Sequence, residues 1–374
     1  MFRCLQHEVG DAVDEATLRT FYDQSVANLE WLEFHGAKFP SSMALYRTYY
    51  PVDDYYLHYS GNENAQWLAT LAWPAPRGHQ PVGRGLSGME MTGGSLWQSI
   101  FDSAQRLGVR WLTQKAKKYQ TTLRSLSGAL GFLADILWEK TAQVKTLEAR
   151  PVVLAARGFV KDREMVRKSI PWAVRTAPMG TAGDDGTGVR LGQSVRGSIS
   201  HMERMAAWRF ILPPEALGEG IVVSPLGERI TAEDPGADTG TMEESIEGLA
   251  RKISVDQSNS KRTIDAHNSA IIDGRPDSVG KVEYRSVIAT PPFYGIDISI
   301  QSSGMMAVPA LTLGGLEVDG ATSMVLNEAG NAISGLYATG RNAVGICSRN
   351  YVSGLSLADC VFSGRRTGEH AAQS

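Results

Sequence analysis

Gly335-Leu336-Tyr337-Ala338-Thr339-Gly340-Arg341-Asn342 is followed, after Ala343 to Arg349, by Asn350-Tyr351-Val352-Ser353-Gly354-Leu355-Ser356-Leu357-Ala358-Asp359-Cys360. This tail reads as a short buried strand, a glycine turn, an irregular loop carrying a tyrosine and a serine, and a helix opened by small residues. Such an arrangement aims a helix N-terminus at an electron-rich ligand. Backbone amides and the macrodipole together place roughly half a positive charge at that end. Tyr351, two residues before Ser353, stands where it can move a proton.

Composition limits the rest. A chain of 374 residues exceeds what one core usually reaches, so two domains are expected. With 21% charged residues and a net charge of −3 there is no basic footprint for nucleic acid. Cys4, Cys347 and Cys360 are too few and too scattered for a disulfide framework or a zinc site, so no metal is expected and reduced thiols in a cytoplasmic setting are. Met1 to Gly10 contains Arg3, His7 and Glu8 without an apolar run, unlike a signal peptide. The most apolar window, Gly128 to Trp138, is interrupted by Asp135 and too short for a membrane span.

Working back from the tail, Val308 to Val318, Asn327 to Ala332 and Leu336 to Thr339 read as strands joined by turns. Near the start, Asp14 to Tyr22 and Ser25 to Phe34 carry apolar residues at helical spacing, with Ser25 as a cap and Gly36 as a stop. Six of the twelve tyrosines fall between Tyr46 and Tyr59, either as an aromatic wall for a flat ligand or as packing beneath a loop. Gly83, Gly85, Gly88, Gly93 and Gly94 mark a loop, followed by a helix over Ser95 to Leu107 closed by Gly108, and then a strand from Val109 to Leu112. Lys115 to Lys145 is basic and poorly patterned, and Pro151 to Leu154 reads as a short buried strand running into a turn. Gly180 to Gly188 is a tight loop before a helix. It lacks a Gly-Lys-Ser/Thr ending, and Asp184 and Asp185 would repel phosphate, so they read as turn formers. Ile221 to Asp234 suggests a hairpin and Ser245 to Ile253 a helix. The alternation favours an α/β class.

Gly335 to Asn342 with Tyr351 to Gly368 resembles the carboxy-terminal FAD motif of the succinate dehydrogenase and fumarate reductase flavoprotein superfamily. Asn350 to Asp359 is most similar to the FAD-dependent 3-oxosteroid dehydrogenases within it. Thr312 to Val318, Ala182 to Gly186, Gly220 to Asp234, Pro74 to His79 and Pro291 to Tyr294 also match, in the family's order. The resemblance implies a two-piece FAD-binding domain, residues 1–178 and 300–374, with an α+β substrate-capping domain, residues 179–299, inserted between the pieces. It implies FAD as cofactor, held by Gly340, Arg341, Asn342, Gly354, Leu355, Ser356 and Leu357. A small, hydrophobic, steroid-like substrate and no nucleic-acid partner are implied as well.

The family also has an amino-terminal strand, glycine turn and helix that cradles the FAD pyrophosphate. No G-x-G-x-x-G follows a strand near the start of this sequence, so the FAD domain is expected to be amino-terminally truncated. Arg157 replaces a glycine of the family's Ala-Thr-Gly-Gly-Phe turn, and Leu212 stands near where the steroid enzymes carry a second tyrosine. The implied chemistry is loss of a proton and a hydride across a ring C–C bond beside a ketone. The hydride goes to flavin N5, Tyr351 transfers the proton, and Ser353 serves as relay or ketone donor. The alternative is a catalytically inactive remnant, or a fragment that binds a ligand or a partner; a separate polypeptide supplying the glycine unit is a third possibility. Cys347 and Cys360 read as packing residues, and His201 and His267 receive no role.

Overall fold

The computed structural model describes residues 1–43, 55–58, 71, 78–82, 92–110, 149, 151–207, 219–229, 240–281, 285–296, 308–352 and 354–374. Most of the tyrosine cluster, Gly83 to Gly88, Lys115 to Lys145, Leu212 and Ser353 lie outside the described residues. Three helices open the chain: α1 (Phe2–Val9), α2 (Glu15–Asp23) and α3 (Ser25–Phe34). The Asp14 carboxylate caps α2 by accepting from Thr17 N at 2.8 Å, satisfying a donor orphaned at the helix start. Ser25, expected as a cap, instead lies in the first turn of α3. Gln24 already has helical angles and its carbonyl accepts from Asn28 N, so one helix leads into the next and leaves Ser25 no terminus to cap. Gly36 stops α3 at φ +101°, a conformation open to glycine.

Strands β1 (Leu57–His58) and β2 (Gly78–His79) pair antiparallel, and α4 (Thr92–Arg106) follows. Of the strand expected over Val109 to Leu112, Val109 and Arg110 form none, and Trp111 and Leu112 lie outside the described residues. Next come β3 (Val152–Leu154), α5 (Arg163–Ser169), β4 (Ala177–Pro178), α6 (Thr187–Ser194), β5 (Ile199–Ser200) and β6 (Met205–Ala207). The middle of the chain holds β7 (Gly240–Glu243), α7 (Ile246–Lys252), α8 (Gln257–Ile272) and β8 (Phe293–Ile296). The tail supplies β9 (Pro309–Thr312), β10 (Gly315–Leu316), β11 (Met324–Leu326), β12 (Ala332–Ala338) and α9 (Leu355–Ala371).

Strand β12 is the hinge of the site, pairing antiparallel with β11 and parallel with β3, where Leu336, Tyr337 and Ala338 face Val152, Val153 and Leu154. Tyr337 and Ala338 are fully buried, as a short inner strand should be. Two expectations fail around it. Asn327 to Asn331 is not a strand but the turn joining β11 to β12, closed by Asn327 N donating to Asn331 O at 2.9 Å and by the Asn327 side chain accepting from Ala329 N and Asn331 N. Strand β3 is not buried: Val152 and Val153 are 43% and 42% exposed, because among the described residues β12 is its only neighbour.

Strand β9 runs between β4, which is parallel to it, and β6, which is antiparallel, while β10 pairs with β5. Residues 177–207 are thereby built into the same layers as 308–343. A cluster of Leu5, Val9, Leu18, Phe21, Ile346 and Phe362 seats α1 and α2 against the loop after β12 and against α9. Each such side chain contributes about 1.5–3 kcal/mol by leaving water, and Phe21 meets Phe362 edge to face at 5.4 Å. In the middle segment a buried ionic knot does the equivalent work. Arg229 donates to Asp277 at 3.0 and 3.4 Å, the His267 ring lies 3.3 Å from the same carboxylate, and Lys281 N donates to it at 3.2 Å.

Candidate active site

The site gathers where β9, β12 and α9 meet. Gly340 turns out of β12 with φ +58°, and Ser363 of α9 ties that turn down by accepting from Thr339 Oγ1 at 2.8 Å and from Gly340 N at 3.2 Å. Gly354 starts α9 at φ +82°, and no side chain caps that terminus. Between these glycines runs the loop that carries Tyr351. Its far end is gripped by α1: Arg349 donates to His7 O at 3.1 Å and Asn350 to the buried Glu8 carboxylate at 3.2 Å.

A small cavity of about 20 Å³ brings together Gly340, Arg341, Tyr351 and Ser356, all expected at the site, with Thr312, Cys347, Ser348, Asp359 and Cys360. It has room for about one water, so a larger ligand would lie against its mouth. The remaining expected residues go elsewhere. Leu355 packs into the α1–α2 core. Leu357 is 54% exposed and faces a separate groove. Asn342 is fully buried against Gly188 and Ala156, with neither side-chain amide atom paired.

Asp184, read from the sequence as a turn former, is more than that. Its side chain is fully buried, accepts from Thr181 N at 2.8 Å and makes an ion pair with Arg341 Nη2. Arg157 Nη1 lies 3.8 Å from the same carboxylate and donates to Thr181 Oγ1 at 2.5 Å. The Arg157 backbone is in the left-handed region at φ +69°, which costs a non-glycine residue roughly 1–2 kcal/mol. The Arg157 guanidinium folds back onto Asp184. Next to it Gly158 is pressed against Thr312, where a Cβ would lie 2.9 Å from Oγ1. Asp185 behaves as a turn former, accepting from Thr187 N at 3.0 Å.

Sequence reasoning gave no role to Asp359, which lines the cavity and is 8% exposed. Burial pushes its carboxyl up to about 6, against the opposing pull of the Cys347 amide and Arg366. Burial, with Asp359 nearby, also raises both thiols, Cys360 to about 11, so neither is a thiolate near neutrality. The signal for Asp359 was its spacing: it shares the apolar face of α9 with Leu355 and Phe362.

The sequence profile described as FAD binding domain matches residues 1–357. The chain belongs to that family. It is thus an FAD-dependent oxidoreductase. The 3-oxo-5-alpha-steroid 4-dehydrogenase of Comamonas testosteroni is 30% identical, the match covering 90% of this chain and 79% of the relative. The cytochrome-type fumarate reductase of Shewanella frigidimarina is 23% identical, covering 79% of this chain and 57% of the relative. Among solved structures, 3-ketosteroid-delta4-(5alpha)-dehydrogenase of Rhodococcus jostii RHA1 superposes with a TM-score of 0.79 at 23% identity, covering all of this chain and 83% of that one. The 3-ketosteroid delta1-dehydrogenase of Sterolibacterium denitrificans gives 0.61 at 17% identity and covers 88% of that chain. At these identities the superpositions establish the fold. Among the described residues no helix is long and apolar enough to cross a membrane, and no acidic, histidine or cysteine cluster is shaped to hold a metal.

Proposed function

We propose that the protein dehydrogenates a 3-oxosteroid-like ketone, with Tyr351 as the proton-transfer group. The observation that supports this reading is the convergence of Tyr351, Gly340, Arg341 and the first turn of α9 on one cavity, in a chain related to a steroid 4-dehydrogenase. The residues present suit FAD. The paired cations Arg157 and Arg341 offset phosphate charge, and the unpaired Asn342 amide has hydrogen bonds to give. Bound FAD supplies a hydride acceptor at N5.

The chain's own part is orientation and proton handling. The uncapped α9 N-terminus adds a positive field that favours anionic charge nearby. A free tyrosine titrates near ~10, so Tyr351 needs that field, or a relay through Ser353, to take a proton made acidic by the adjacent ketone. Arg341 is held in place by Asp184, so its charge is fixed before substrate arrives. The two-piece division also stands as a proposal, and the pairing of β5 and β6 with β10 and β9 argues for carrying the first piece on to residue 207.

The test is steroid turnover with an artificial electron acceptor, comparing Tyr351→Phe with the parent. Loss of the phenol should lower kcat by roughly 10²- to 10⁴-fold while flavin is retained; an unchanged rate would remove Tyr351 from the chemistry. A second reading, a non-catalytic fragment that binds a hydrophobic ligand, draws support from an apolar groove of about 570 Å³ lined by Trp31, Leu96, Trp97, Ile100, Leu357 and Val361. A steroid that quenches tryptophan fluorescence equally with and without FAD, and is never turned over, would favour it.

A further inference from the structure

Asp359 takes no part in the steps above, yet its carboxylate is built into the loop that presents Tyr351. Its Oδ2 accepts from Cys347 N at 3.4 Å, and Gly345 packs so close that a Cβ there would lie 2.5 Å from the same oxygen. Gly345 and Ser348 close this turn on each other, with Gly345 N donating to Ser348 Oγ at 2.9 Å and Ser348 N to Gly345 O at 3.0 Å. The loop is therefore tied at two points, by Asp359 at Cys347 and by α1 at Arg349 and Asn350, and Tyr351 follows directly.

We propose that Asp359 is a positioning residue for Tyr351: its carboxylate anchors the Gly345–Ser348 turn, and its charge sets the field in the cavity the phenol shares. The inference rests on the proton-transfer role of Tyr351 given above. The titratable and charged groups around Asp359 are Cys347 and Tyr351 on the loop, Cys360 and Arg366 on α9, and Arg341 on the turn after β12. With both thiols protonated near neutrality, Asp359 is the cavity group whose charge changes near pH 6. Its anion opposes the phenolate, because like charges lining one cavity repel.

Two readouts test the proposal. In the chain without ligand, trypsin cleavage after Arg349, an exposed loop residue, reports how firmly the loop is held. Removing the acceptor in Asp359→Ala should speed this cut about tenfold, the factor expected for loss of one hydrogen bond to a buried charged group. Asp359→Asn keeps an acceptor and should stay within about threefold of the parent. In the FAD-loaded chain, Asp359→Asn should remove the change in kcat near pH 6 and move the alkaline limb downward by about one pH unit. Equal cleavage in parent and Asp359→Ala would overturn the anchoring, and an unmoved pH profile in Asp359→Asn would overturn the field. If Asp359→Ala does not fold, the Asn variant still decides the second point. If no steroid is turned over, the assignment of Tyr351 fails by itself, while the cleavage comparison still decides the anchoring.

Discussion

Replacing Asp359 with asparagine should change how stability depends on pH in a way set chiefly by burial. The carboxyl is raised from 3.8 to about 6 in the folded chain, chiefly because burial disfavours its anion. At about 1.4 kcal/mol per pKa unit this is roughly 3 kcal/mol. The folded state binds the proton more tightly than the unfolded one, so stability falls as pH rises between the two values. The contribution is fully present below about pH 4 and gone once the pH has passed the folded value near 6. Asparagine has nearly the same shape and no proton to lose. Urea denaturation of parent and Asp359→Asn from pH 4 to 8 should give curves whose difference changes by about 3 kcal/mol, the variant gaining relative to the parent as pH rises. Other titrating groups cancel in that difference. Parallel curves would show that the carboxyl ionises as freely in the folded chain as in water, and would refute the burial argument.

Other perturbations probe the rest of the site. Asp184→Ala strands Arg341 beside an empty buried position and should cost about 3 kcal/mol in urea denaturation, whereas Arg157→Gly, which relieves the φ of +69°, should leave the midpoint no lower than the parent's. Gly188→Ala drives a methyl into the Asn342 amide and Ala156, for a loss of about 1–3 kcal/mol. Adding Asn342→Ala to it should recover most of that loss, read as the thermal midpoint of the double variant. Glu8→Ala releases Asn350 from α1 and should raise the KM for a steroid and lower kcat together, with far-ultraviolet circular dichroism unchanged.

Much of the tail was legible because its signals are local. Gly340 and Gly354 hold the left-handed angles that a turn and a helix start demand, and Tyr337 and Ala338 just before Gly340 are buried as their composition suggests. What the sequence hid depends on partners far along the chain. Val152 and Val153 look like an inner strand, but burial is decided by how many neighbours a strand has, and β3 has one among the described residues. Asn327 to Asn331 has strand-like flanks, yet the Asn327 side chain reaches its own backbone and makes a turn cheaper. The Asp184–Arg341 pair joins residues 157 positions apart, which no spacing rule reveals. Asp359 was overlooked because an acidic residue in a helix is ordinarily assigned to solvent. Its place on the face with Leu355 and Phe362 said otherwise.

The central claim, that this chain is a working flavoprotein, is tested most directly by the visible absorbance spectrum of the purified protein before and after adding FAD. A yellow protein whose flavin bands survive gel filtration is the predicted result. A colourless protein that never retains FAD would contradict the account, because the residues grouped around Gly340, Arg341 and α9 would then hold no cofactor for Tyr351 to serve.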